Sequence, residues 1–165
     1  MIVRRITEDD YDAMREIRLE ALRLHPENFG ADLALEESFS REQWLRRMAT
    51  AKTFGAFVDD ALGGIVVFAR PVISKTAHTG EIGAMYVRNA HRGTGMGDAL
   101  LKAVFDAAQD EVEQIKLTVN AENRAAIRLY ERHGFRAIGT YPNTLRIGDR
   151  TYDELIMFRR LSASD

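Results

Sequence analysis

Two hydrophobic periods alternate along the chain. Residues 2–6 are short and β-branched and predict a strand. Thr7, with Asp10 three positions on, predicts a capped helix start. Tyr11, Met14, Ile17, Leu19, Ala21, Leu22 and Leu24 then recur at mostly helical spacing. Residues 25–39 hold no period and read as irregular. Ser40 and Gln43 form a second capping box, opening a helix through Trp44, Leu45 and Met48. Residues 53–58 and 61–69 read as a hairpin about Asp59-Asp60, and 79–87 as a further strand. Residues 95–110 carry a strong apolar stripe of Leu100, Leu101, Val104, Phe105 and Ala108. Residues 115–119 predict a short strand, and 123–133 a helix stopped by Gly134. Strands over 135–147 and 150–160 flank a turn at Gly148-Asp149.

The predicted order is β α α β β β α β α β β. A helix joining strands 79–87 and 115–119 makes a βαβ unit, whose strands run parallel. The hairpins on either side are antiparallel by construction. The expectation is a mixed sheet in an α/β or α+β fold, built as one domain over residues 1–165.

Composition narrows the function. Apolar residues at 45% and charged residues at 29% suit an ordinary globular chain. Twenty-three bases against 25 acids leave no excess charge to attract nucleic acid. The absence of cysteine excludes thiol nucleophiles, disulfides and thiolate–zinc sites, and allows a cytoplasmic setting. The first ten residues turn acidic before any apolar stretch, so no signal peptide is expected. The longest apolar run, 62–69, is far too short to span a bilayer, so no membrane partner is expected. His25, His78, His91 and His133 fit no metal spacing, and no Gly-x-Ser-x-Gly elbow occurs. Trp44, on an apolar helix face, reads as core.

The informative stretch runs from Tyr86 to Gly97, where a strand end meets a glycine-rich turn and a long helix. Glycines let backbone N–H groups approach a ligand closely. A helix N-terminus adds free donors and partial positive charge, and Arg92 adds a full one. Together these make a phosphate cradle, although such a turn is also a plain tight connection in many proteins. It is no Walker A motif, since no Gly-Lys-Ser/Thr follows. It is no dinucleotide fingerprint, since Asp98 stands at the third glycine position. His91 adjoins the turn and reads as a solvated loop residue.

A partner segment follows strand 115–119. Arg92-x-x-Gly95-x-Gly97 resembles the acetyl-CoA loop of the GCN5-related N-acetyltransferase (GNAT) family. The run from Asn123 through Ala125-Ala126 to Leu129-Tyr130-Glu131, closing on Gly134-Phe135, resembles its second motif. The resemblance covers roughly residues 53–160. It implies a mostly antiparallel sheet of six to seven strands with a central parallel βαβ unit and about four helices. It implies acetyl-CoA as co-substrate, held by Arg92, Gly93, Thr94, Gly95, Met96 and Gly97 at the pyrophosphate. Backbone of Met85, Tyr86 and Val87 would hold pantetheine in a gap between splayed strands, with Asn123 and Ala125 near its sulfur end. Gly83 is either the host of a bulge aiming an N–H at the thioester oxygen or a plain strand glycine.

The implied reaction is direct attack by a neutral amine. Tyr130, three residues after Ile127 and so on the sheet side of its helix, is the candidate donor to the leaving sulfur; its other reading is a core tyrosine. Glu81 is the candidate base, acting through a water, or else a surface acid at a strand start. The Arg124, Arg128, Arg132 row reads as a solvated stripe, with contact to the coenzyme's 3′-phosphate as the alternative.

The family's acceptor pocket corresponds to about residues 25–39 and 141–154. The first holds Glu27, Asp32, Glu36 and Glu37. The second holds Asp149, Asp153 and Glu154 alongside Arg146 and Arg150. Acid-rich walls favour a cationic amine. The tail Gly148 to Met157 resembles members acting on small amines or amino acids, so a small-molecule amine acceptor is expected, with protein amines open. Longer acyl-CoA use and a non-catalytic acyl-CoA-binding role are the other readings. Exposed edge strands make a homodimer an expectation.

Overall fold

The computed structural model describes residues 1–161. Seven strands form one sheet: β1 (Ile2–Arg5), β2 (Lys52–Val58), β3 (Ala61–Ala69), β4 (Thr79–Val87), β5 (Gln114–Asn120), β6 (Arg136–Ile147) and β7 (Arg150–Arg160), in spatial order β1-β2-β3-β4-β5-β7-β6. All pairs are antiparallel except β4–β5. Helices are α1 (Tyr11–Leu24), α2 (Leu33–Glu37), α3 (Arg41–Thr50), α4 (Met96–Ala108) and α5 (Arg124–Arg132). This is the mixed, mostly antiparallel sheet expected from the sequence. None of the helices among the described residues is long and apolar enough to cross a membrane.

The two faces of the sheet carry separate cores. On one, the α4 stripe (Leu100, Leu101, Val104, Ala108) and Ile127 and Tyr130 of α5 close over Phe68, Ile82, Ile115, Leu117 and Met157. On the other, Met14, Ile17 and Ala21 of α1 close over Phe57, Leu62, Ile65 and Tyr86. Strands β2 and β3 are therefore covered on both sides, which is why residues 62–69 read as a continuous apolar run and not an alternation.

Local chemistry sets the boundaries. Asp59 and Asp60 both take left-handed φ, 49° and 64°, closing β2–β3 with the two-residue turn that matches strand twist. The Thr7–Asp10 box first opens a 3₁₀ turn, so α1 starts only at Tyr11. Ser40 and Gln43 cap α3 reciprocally at 3.2 and 2.7 Å. One expectation is corrected: the segment 25–39 is structured. Pro26–Asn28 form a 3₁₀ turn, and Asp32 caps the five-residue α2 by accepting from the Leu35 N–H at 3.2 Å. A helix that short spans too little chain to show a period. Trp44 is core, 2% exposed and edge-on to Phe39.

Candidate active site

The site exists because the two parallel strands part. The β4–β5 ladder joins only Thr79, Gly80 and Glu81 to Gln114, Ile115 and Lys116. Beyond it a cleft of about 720 Å³ opens, with Ile82 to Val87 on one wall and Thr118, Val119 and Asn120 on the other. The β3–β4 register shifts here: Ile65 faces Tyr86 and Val67 faces Gly83, so Ala84 and Met85 together oppose Val66. The bulge therefore sits at Ala84, held at φ 50°, and not at Gly83, which pairs regularly with Val67. The bulge also resets the alternation. Met85 and Val87 pack toward α4, while Tyr86 turns toward α1.

Tyr86 lines the cleft, with its ring near His25 and Arg92 and its hydroxyl engaged on the α1 side. Its hydroxyl donates to Glu20 Oε1 at 2.9 Å, and Arg88 Nε donates to Glu20 Oε2 at 2.9 Å. Burial and the Glu20 carboxylate raise the Tyr86 phenol above its ordinary value.

The glycine turn closes the cleft mouth. Gly93 and Gly95 have φ of 75° and 84°, and a Cβ at either would meet nothing within 4 Å. Both positions need glycine for conformation, and both leave the backbone bare toward open space. Gly95 caps α4, so the N–H groups of Met96, Gly97 and Asp98 have no intrahelical partner. The Met96 side chain is buried in the core, leaving only its backbone to the cleft. Gly97 has a packing reason: a Cβ there would stand 3.0 Å from Leu129 Cδ2 of α5. Thr94 steadies the turn by donating to the His91 carbonyl at 2.6 Å. Burial would push the Asp98 carboxyl up, but hydrogen bonds from His133 and Arg132, at 2.9 and 3.2 Å, outweigh it and hold it low. Its negative charge beside the helix start is thereby matched by the Arg132 cation.

From the far wall α5 contributes Asn123, Ala125, Leu129 and Tyr130. Asn123 caps the helix, its Oδ1 accepting from the Ala126 N–H at 3.1 Å. Tyr130 is 6% exposed and edge-on to Phe135. Burial raises its pKa, so the phenol stays protonated at neutral pH, a donor with no protein partner among the described residues.

The third wall is the 3₁₀ turn after α1, which the sequence left featureless. His25, Glu27, Asn28 and Phe29 all line the cleft. Arg92 lies against this wall: Nη2 is 3.1 Å from His25 Nε2, and Nε donates to the Val87 carbonyl at 3.1 Å. Since an arginine only donates, His25 Nε2 must be the acceptor. Asn120 ties the turn down, its Nδ2 donating to the Glu27 carbonyl at 2.8 Å and its Oδ1 accepting from the Glu122 N–H at 2.8 Å.

The cleft therefore gathers Met85, Tyr86, Val87, Arg92, Gly93, Gly95, Met96, Gly97, Asn123, Ala125 and Tyr130. Thr94 lies in the same turn without lining it. Glu81 is not brought in: it is half exposed, outside the cleft lining, and 3.4 Å from Lys116. Arg132 lines the cleft and bonds Asp98, while the rest of its row is exposed. Among the described residues no group of three His, Asp or Glu side chains could hold a metal.

A family model described as the acetyltransferase (GNAT) family matches residues 11–135. The chain belongs to that family. It is an acetyl-CoA-dependent N-acetyltransferase by membership. It is 26% identical over 160 residues to YwnH of Bacillus subtilis, whose name gives phosphinothricin acetylation provisionally, covering 96% of this chain and 85% of that protein. It is 25% identical over 145 residues to the L-amino acid N-acetyltransferase AaaT of Escherichia coli, covering 85% of each. The fold superposes at a TM-score of 0.82 on yncA of Salmonella typhimurium, solved with acetyl-CoA. That match covers all of this chain and 96% of the other at 23% identity. The residues of this GNAT chain fit such a coenzyme: bare glycines and free N–H groups at the mouth, and an unpaired strand edge beyond.

Proposed function

We propose that the chain moves the acetyl group of acetyl-CoA onto a primary amine of a small molecule, amino acids included, by direct attack on the thioester. One observation carries the reading: the β4–β5 ladder stops at Glu81 and Lys116, leaving the β4 edge from Ile82 to Val87 open to the cleft. Open N–H and C=O groups there suit an extended, amide-bearing arm lying alongside like an added strand. The N–H groups of Gly93 to Gly97, with Arg92, take the pyrophosphate at the start of α4. Ala125 and the free amide nitrogen of Asn123 border the sulfur end.

Acetyl-CoA, when bound, supplies the activated acetyl thioester. The chain's own groups do the rest. The N–H groups at the Ala84 bulge serve as donors for the developing oxyanion. Tyr130 gives its proton to the departing sulfur, a role that its place in the cleft lining and its hydroxyl, unpartnered among the described residues, support. Glu81 is not carried into this reading, because its nearest partner is Lys116 outside the cleft.

The names of the relatives support a small amine or amino acid as acceptor. A single catalytic domain over residues 1–165 and a cytoplasmic setting go with the reading, the latter supported by the cysteine-free composition. So does a homodimer. Strand β6 is a 12-residue sheet edge, with Ile138 and Tyr141 exposed. Light scattering would then give twice 18.7 kDa, and a mass of 18.7 kDa would contradict the pairing. The functional test is purified protein with acetyl-CoA and pooled amines, read by mass spectrometry. An acetylated small amine is expected. Tight coenzyme binding with no product across the pool would instead favour an acyl-CoA-binding regulator.

A further inference from the structure

Two carboxylates are buried among the described residues, and they differ in kind. Glu36, 1% exposed, is saturated by Arg18 at 3.0 and 3.1 Å and by Arg47 at 3.0 Å. Glu154, 9% exposed, has neither a cation nor an N–H donor among the described residues. A buried carboxylate without partners is costly, so folding alone gives no reason to keep one.

Its position gives a reason. Glu154 lies on β7 directly opposite Asn120 of β5, a cleft residue, and opposite Tyr141 of β6. Leu155 and Met157 pack toward α4 and α5, so Glu154 faces the other side of the sheet. Asn120, next to the core residue Val119, faces that side too, and there its amide holds the Glu27 carbonyl. The carboxylate is thus on the same face as the turn Pro26–Asn28, which walls the cleft away from α4; it stands one strand behind Asn120 and outside the cleft lining itself. Asn120 makes no hydrogen bond to Glu154: its Nδ2 donates to the Glu27 carbonyl and its Oδ1 accepts from the Glu122 N–H. The other titratable or charged groups on this face are Glu27 and His25 from the turn, Arg136 and Tyr141 from β6, Arg150, Tyr152 and Arg160 on β7 itself, and Lys116 further down β5; Arg150 is paired with Glu122 and Lys116 with Glu81.

We infer that Glu154 receives the acceptor's ammonium group and takes its proton, which makes a cationic primary amine the substrate class. This inference rests on the acetyltransferase reading above. The N–H proton moves to a Glu154 oxygen and leaves its electron pair on nitrogen. That pair forms the new N–C bond as the C–S bond breaks, with the sulfur taking the Tyr130 proton. Nitrogen sheds a second proton, which restores Tyr130, and Glu154 returns the first to water. Per turnover one proton is released.

The test reads Glu154 directly. In isotope-labelled protein saturated with CoA, the Glu154 carboxyl signal is assigned by its loss in Glu154→Gln and followed through a pH titration. Excess butylammonium should lower the midpoint by about one pH unit, whereas butan-1-ol should not move it. Glu154→Gln should also cut kcat/KM about tenfold or more for every amine the wild type acetylates, and remove the acidic limb of its pH profile. Its acetyl-CoA Kd, measured by calorimetry, should stay within about twofold, which also reports that the variant folds. A midpoint indifferent to butylammonium overturns the proposal, as does a variant with wild-type turnover and an unmoved acidic limb. Wild-type protein that fails to bind acetyl-CoA overturns the underlying reading instead, and the inference with it.

Discussion

Tyr130 and Glu154 are opposite solutions to one problem, a polar group kept out of water. Burial favours the neutral form of each, raising both pKa values. For a phenol this costs nothing at pH 7, because it is protonated anyway, and Tyr130→Phe should leave stability and acetyl-CoA affinity nearly intact. Turnover should fall by about tenfold or more, the scale of a lost general acid. Unchanged turnover would remove Tyr130 from the mechanism. For a carboxyl the same burial costs stability. A carboxyl raised above its unfolded value binds its proton more tightly when folded, so its contribution is full below the unfolded pKa near ~4.3 and is lost as pH rises through the folded value. Glu154→Gln should therefore stabilise the ligand-free protein by about 1 kcal/mol at pH 7 and by much less at pH 4, measured by denaturant unfolding. Destabilisation at pH 7 would mean that the carboxylate has a structural partner.

Among the elements, legibility followed length and period. The α4 stripe, the paired capping boxes and the Asp59-Asp60 turn were readable because each repeats a local rule over enough residues. The glycine turn was readable as bare backbone leading into a helix because Gly93 and Gly95 stand directly before the α4 stripe. The turn Pro26–Asn28 and α2 were not, since three and five residues hold no period. With them went the third wall of the cleft and the contacts of His25 and Asn120, which depend on side chains 67 and 93 positions from their partners. Of the two readings of Gly83 the plain strand glycine holds, and the bulge falls one residue on, where Ala84 takes the left-handed turn. Glu81 looked like a base because it begins the central strand, but the ladder is still closed at that height. The start of α1 adds a pH prediction. Asp10 accepts from Arg4 at 2.7 and 2.8 Å and from the Thr7 N–H at 2.9 Å, which lowers its pKa to about 2. A lowered carboxyl contributes stability above its unfolded value that is lost as pH falls toward 2. Asp10→Asn should cost about 1 kcal/mol at pH 7, after allowing for solvent screening of the half-exposed Arg4, and much less at pH 2. An equal loss at both pH values would point to packing instead of charge.

For the whole molecule, the sheet works as a hinge-less wedge. Strands β4 and β5 are joined at one end by three residue pairs and forced apart at the other, where a bulge, a glycine turn and two helix starts converge. Two cores on opposite faces fix that divergence, so the cleft is present before any ligand arrives. In the proposed reading, one face offers α4 and α5 to the coenzyme and the other offers the turn after α1 and the β6–β7 hairpin to the acceptor. The most direct measurement is a crystal structure of the protein soaked with acetyl-CoA. The diphosphate should lie on the N–H groups of residues 93–97, with the pantetheine arm along Met85 to Val87 and its sulfur near Tyr130. A coenzyme bound at any other surface, or a cleft left empty at saturating concentration, would contradict this account.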